Sequence, residues 1–417
     1  MQNIRKSLLQ LIFSGSVMRR WNDKLRPVEL YEVDKQAHKM ITAFFLYVLH
    51  CRGLNMEERL ALGQQVIEGG LHDYFYRLII TDIKPPVFYR IKENQAHYTE
   101  LTEWVLGELE SVVRPADQGF WDRLVAYHNR PVDRKPTLAD AILRSAHLYS
   151  SKWEFSLIRP LNYFDEELRD IDNSFTEQLR AMQDLPGVKE LIAASGNALA
   201  RTANMCGQLR FQIRWSQTTR IPETSVLGHM LVVAAYAYFI SLGLGLCRAR
   251  CQNNFFSALF HDLPELLTRD IITPVKRSVE QLPGIIHQYE REELERRVLM
   301  PLQDAGYTDI VERLNYFLGW ETGSEFKETI RDEAGYVHAL DSFEELHLDC
   351  NKDSLDPKDG HLVKICDTLA AFIEAHTSIY NGISSPHLHE AMARMRSAYR
   401  RETLNDLNIS TLLADFD

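Results

Sequence analysis

Positive charge is in short supply. Lys and Arg total 47 against 58 Asp and Glu, a net charge of −11 with His neutral. That argues against a general nucleic-acid surface, which needs a basic field. A small anionic substrate stays open, because a local pocket can be basic on an acidic protein. No CxxC occurs among Cys51, Cys206, Cys247, Cys251, Cys350 and Cys366. Cys247 and Cys251 share a helix face, and the plain expectation is buried free thiols in a reducing cytoplasm. No run is read as reaching the roughly 18 apolar residues of a membrane span, so no membrane partner is expected. "MQNIRKSLLQLIFSGSVMRRW" starts basic and has a short apolar stretch. Arg19-Arg20-Trp21 stand where a signal peptide has its small-residue cleavage site, so an amphipathic helix is expected there. Alternating strand patterns with hairpin turns are also scarce.

What is present is helical periodicity. "HKMITAFFLYVLHCRG", "LADAILRSAHLYSSKW", "HMLVVAAYAYFISLGLGL" and "LVKICDTLAAFIEAHTSIY" carry long apolar faces. The class is all-α. The sequence also answers itself. "LLQLIFSGSVMRRWNDKLRP" parallels "TANMCGQLRFQIRWSQTTRIP", and "GGLHDYFYRLIITDIKPPVFYRI" is a blurred copy of "SALFHDLPELLTRDIITPVKRSV". The expected organisation is a tandem duplication of one helical bundle. Its units are residues 1–185 and 190–417, meeting near Pro186-Gly187, with an insertion around 315–360 where the chain turns polar and turn-rich.

Each half offers His, then His-Asp, then Asp, in one order. The first set is His38, His72, Asp73 and Asp140; the second is His229, His261, Asp262 and Asp367. His nitrogens with carboxylate oxygens suit a borderline divalent ion: Mn, Fe, Co, Ni or Zn, with Mg also open. Adjacent residues on a helix point about 100° apart, so His261 and Asp262 grip one ion only at a helix end. Polar ligands in apolar helix faces cost energy unless paired or metal-bound. Taken singly, a His in an apolar helix is more often a satisfied core residue, and Asp140 or Asp367 alone a buried hydrogen-bonding group. The ordered recurrence is what points to metal.

With "RW" ahead of the first His, "HDLPELLTRDIITPVK" and a late "CDTLAAF", the pattern resembles the HD-domain phosphohydrolases. The nearer likeness is to the bacterial 5′-deoxynucleotidases of YfbR type, well over 200–417 and in outline over 1–180. The resemblance implies an HD-domain bundle, present here as a tandem duplication. It implies His229, His261, Asp262 and Asp367 as metal ligands and Glu265 as the residue that orients or deprotonates the attacking water. Arg214 and Trp215 would hold phosphate and nucleoside, Asp270 would face the sugar, and Lys276 would lie near the phosphate. The implied activity is hydrolysis of the 5′-phosphate of (deoxy)nucleoside monophosphates, a small anionic nucleotide substrate. The alternatives are an HD-type dNTP triphosphohydrolase or phosphodiesterase, or a non-catalytic nucleotide-sensing module.

Two departures stand out. Gly228 precedes His229 where the family commonly has Glu. In the first half, Tyr76 stands near the place of Glu265, so that copy reads as a metal-bearing pseudo-copy, catalytically weak or silent, or as a site with altered chemistry. An intramolecular pseudo-dimer and a cytoplasmic location complete the expectations.

Overall fold

The computed structural model describes residues 4–193, 196–269 and 279–417. Helix makes up 67% of it, and strand among these residues is confined to two short hairpins, as the all-α expectation requires. The first part runs α1 (Lys6–Ser14), α2 (Glu32–His50), α3 (Met56–Ile80), α4 (Pro85–Glu93), α5 (Gln95–Val113), α6 (Gln118–His128), α7 (Leu138–Ile158) and α8 (Glu167–Arg180). The short α9 (Val188–Ile192) and α10 (Ala198–Gln208) lead to α11 (Val226–Gly243), α12 (Arg248–Phe260) and α13 (Glu265–Thr268). Then come α14 (Leu282–Leu294), α15 (Met300–Asp304), α16 (Thr308–Phe317), the hairpin β1 (Thr329–Arg331) and β2 (Val337–Ala339), and α17 (Phe343–Leu348). The chain closes with α18 (Gly360–Tyr380), α19 (Pro386–Ala398), the hairpin β3 (Thr403–Leu404) and β4 (Leu407–Asn408), and α20 (Ile409–Ala414).

Local chemistry sets several ends. Asn55 accepts the N–H of Glu58 while the Glu58 carboxylate accepts the N–H of Asn55, a capping box that starts α3. Thr137 and Asp140 make the same reciprocal pair at α7. In α1, Leu8, Leu9, Ile12 and Phe13 are buried, the amphipathic helix expected from the sequence.

The centre is α11. Over its 18 residues it is apolar enough, by length and composition, to cross a membrane, which corrects the expectation that no run is that long. In the fold 89% of it is buried, because α12, α2 and α18 pack around it; a helix apolar all round is a core helix here. Phe44 of α2 meets Phe256 and Phe260 of α12 at ring separations of 4.9 Å, so one apolar cluster runs through both parts of the chain.

The polar stretch expected as an insertion forms β1, β2, α17 and turns, and it ends in a buried ion pair. Arg250 of α12 donates Nε–H to Asp359 (2.8 Å), and Asn254 donates to the same carboxylate (2.7 Å). Both charged side chains are fully buried. The next residue is Gly360, where a Cβ would fall 2.1 Å from the Phe326 carbonyl carbon. The start of α18 is therefore clamped to α12, which fixes the helix carrying Asp367 against the helix ending in His261.

Candidate metal centre

The Ser225 Oγ caps α11 by accepting the Gly228 N–H (2.9 Å), so His229 lies in the first turn. α12 stops at His261 because Pro264 has no N–H to continue the ladder. The chain tightens there, with Leu263 N–H to Phe260 O (2.9 Å) and Glu265 N–H to Asp262 O (3.1 Å), and α13 begins at Glu265. Asp367 arrives two turns into α18. These elements bring one ligand atom each of His229, His261 and Asp367 within 4.8 Å of one another. His229 Nε2 lies 3.1 Å from Asp367 Oδ1. Asp262 closes the group, its Oδ2 3.3 Å from His261 Nε2 and 3.8 Å from His229 Nε2. Asp262 also faces the Arg214 guanidinium at 3.4 Å.

The donor set fits a divalent ion. His261 donates Nδ1–H to the Ala258 carbonyl (2.7 Å). That fixes its tautomer and leaves the buried Nε2 at the cluster, facing Asp262 Oδ2. Two imidazole nitrogens with two carboxylates from three elements is a borderline-metal environment. Burial disfavours the His261 imidazolium, but Asp262 and Asp367 outweigh it and push its pKa up to about 9. Burial also works against charge on Asp262, yet His261, His229 and Arg214 hold it below the usual carboxylate range. Asp367 is likewise held down, chiefly by Lys364, whose Nζ is 2.9 Å away.

Behind the cluster stands a residue absent from the sequence expectations. Glu374, two turns beyond Asp367 and 1% exposed, accepts Trp215 Nε1–H (2.8 Å) and Thr224 Oγ–H (2.8 Å). Its Oε1 lies 3.4 Å from Arg214 Nε and 3.6 Å from His229 Nδ1. One carboxylate thus ties the Arg-Trp loop to the back of His229. The available signal was a lone acid in the apolar run "LAAFIEAH". Glu265 is 8% exposed, one turn beyond Asp262. Asp270 and Lys276 lie outside the described residues.

The first-half set does not converge; among the described residues no group with metal-compatible spacing contains any of its four members. His38 meets the Ala203 carbonyl through Nε2 (2.9 Å) and packs on Tyr149 and Trp153. Its burial pushes the pKa down to about 3. His72 sits among the rings of Phe120, Tyr127 and His128. Asp73 takes Lys39 Nζ at 2.5 Å and the Tyr127 hydroxyl at 3.1 Å. Asp140 is spent on capping α7 and on Arg134 (2.5 Å) and Arg130 (3.2 Å). Tyr76 meets Thr102 (3.2 Å) and the His128 ring.

Local geometry nevertheless recurs between the two parts. Arg19 bridges Tyr31 as Ile213 bridges Ser225. Trp21 and Trp215 both have positive φ, 55° and 58°. Arg20 Nε–H (2.9 Å) and Trp21 Nε1–H (3.0 Å) bond Glu154, as Arg214 and Trp215 approach Glu374. Thr81 and Arg269, φ 57° and 66°, each close a helix by donating to the carbonyl four residues back, of Arg77 and Glu265. Counted from these landmarks, Lys35 stands where His229 does, Asp73 at His261, Tyr74 at Asp262, Arg77 at Glu265 and His147 at Asp367. Lys35 Nζ is 2.6 Å from His147 Nδ1, and Arg20 and Arg77 face Glu32 at 2.5 and 3.6 Å. Basic side chains fill that place, and burial pushes Lys35 and His147 toward their neutral forms.

Residues 206–396 match the family model of the HD domain, a segment that contains all four converging residues, Glu265 and Glu374. No curated protein and no solved structure matched the chain. HD domains as a class bind divalent metals and are generally hydrolases.

Proposed function

We propose that the chain is a metal-dependent phosphohydrolase that removes the 5′-phosphate of (deoxy)nucleoside monophosphates at the centre formed by His229, His261, Asp262 and Asp367. The observation that carries this reading is the convergence of buried His229 and His261 with Asp367, one ligand atom of each within 4.8 Å of the others, with Asp262 3.3 Å from His261 Nε2. An ion held there would supply Lewis-acid polarisation of a phosphoryl oxygen. Glu265 takes the proton of the attacking water and holds that water in line with phosphorus. Arg214 meets the phosphate through its guanidinium, and Trp215 offers an indole face to the nucleoside. Glu374 keeps Arg214, Trp215 and His229 in register.

The recurring landmarks support reading residues 1–185 as a second, diverged copy of the unit at 190–417, with the two packed as an intramolecular pseudo-dimer. In that copy Lys35 and Arg77 replace a ligand and the catalytic acid, which favours a silent half. All six cysteines are free, which agrees with a cytoplasmic location. The test is phosphate release from a panel of nucleoside mono- and triphosphates and a phosphodiester, with Mn, Co and Mg. Turnover of monophosphates, lost in Asp262→Ala, is expected. Turnover confined to triphosphates or diesters favours the other HD chemistries, and binding without turnover a sensing module.

A further inference from the structure

Two buried carboxylates of the first half reach the ends of the loop that carries Arg214 and Trp215 and leads into His229 of α11. The two legs of this loop are joined by Arg214 N–H to Thr224 O and Val226 N–H to Gln212 O, both 2.9 Å. On the second leg, Ser225 uses its Oγ twice, accepting the Gly228 N–H and donating to Asp34 Oδ1 at 2.6 Å. Asp34 is 3% exposed. The contact is close enough to dictate the residue ahead of His229: a Cβ on Gly228 would fall 2.6 Å from Asp34 Oδ1 and 2.8 Å from Val33 Cγ1. On the first leg, Arg210, four residues before Arg214, donates to Glu154 Oε1 at 2.8 Å with both side chains buried. The Arg210 guanidinium lies over the Trp153 ring, 5.0 Å from its centroid.

We propose that Asp34 and Glu154 are positioning residues, through which the first half sets His229 for the metal and Arg214 for the phosphate. The inference rests on the metal-centre reading above. Removing a buried acceptor leaves the Ser225 hydroxyl or the Arg210 charge without its partner, and the leg it anchored relaxes. Loss of a group that orients a metal ligand typically weakens metal affinity or activity about 10- to 100-fold. The two residues act on different legs, so their effects separate: Asp34 acts on metal affinity, Glu154 on substrate KM.

The test uses the full-length protein titrated with Co²⁺ and followed by its visible absorption, then assayed for phosphate release at saturating Co²⁺. Asp34→Ala is expected to weaken Co²⁺ binding at least about tenfold. Asp34→Asn, whose amide oxygen still accepts from Ser225, restores most of it. Gly228→Ala, which drives a methyl into Asp34, weakens Co²⁺ binding in the same way and serves as the test if Asp34→Ala does not fold. Glu154→Gln, which keeps an acceptor but leaves the buried Arg210 charge without its counter-charge, raises KM more than it lowers kcat and leaves Co²⁺ affinity unchanged. Co²⁺ affinity within twofold of wild type in folded Asp34→Ala or Gly228→Ala overturns the role of Asp34. Equal losses in the Asn and Ala variants also overturn it. An unchanged KM in Glu154→Gln overturns the role of Glu154. A wild type with no Co²⁺ site sensitive to His229→Ala removes the metal-centre reading itself, and the positioning roles with it.

Discussion

Metal binding at this centre competes with a proton on His261. Burial alone would strip His261 of its charge, but Asp262 at 3.3 Å and Asp367 nearby raise its pKa to about 9. An imidazolium has no lone pair to give, so metal binding must expel that proton. At pH 7 the expulsion costs two pH units, about 2.7 kcal/mol or 100-fold in apparent affinity. The apparent affinity should therefore climb about tenfold per pH unit from pH 6 to 8 and level off above about 9. Calorimetric titration of Mn²⁺ or Co²⁺ at pH 7, in buffers of differing ionisation enthalpy, should show release of about one proton per ion. The same proton stabilises the apo fold. Its contribution is complete below the unfolded histidine value of 6.5 and is lost as the pH rises through about 9. Affinity constant within twofold between pH 6.5 and 8.5, together with a buffer-independent enthalpy, would refute this reasoning.

Glu265→Ala should keep its metal and lose phosphate release by roughly 10²- to 10⁴-fold; a loss under about tenfold with the metal in place assigns the proton transfer elsewhere. Glu374→Ala should cost about 3–5 kcal/mol in urea unfolding, because Arg214 and the Trp215 and Thr224 donors lose a buried acceptor together. A cost below about 1 kcal/mol would mean that solvent replaces it. Elemental analysis should find one ion per chain in wild type and in His72→Ala, and none in His229→Ala; a second ion lost on His72→Ala would restore a first-half site.

Composition and periodicity settled the helical class, because apolar residues at helical spacing have few other ways to be buried. The convergence of His229, His261, Asp262 and Asp367 was legible because polar side chains stand out in apolar helices, and Pro264 marked where α12 ends. The same signal misled in the first half. His38 and His72 stand out equally, yet they face a carbonyl and a ring cluster, because side-chain direction depends on which neighbours the helix meets. Asp140 shows the competing local rule: Thr137 three residues earlier already made it a capping residue. Lys35 and His147, which occupy the matching place, carry no metal-ligand pattern, and only the bridges, positive-φ turns and Trp-carboxylate contacts shared by the two parts identify them. Asp34 lies further beyond sequence reasoning, since its partner Ser225 is 191 residues away. A hydrogen bond across that separation leaves no periodicity in the chain; it exists because α2 packs against α11, and the long-range packing of the two helices alone decides it.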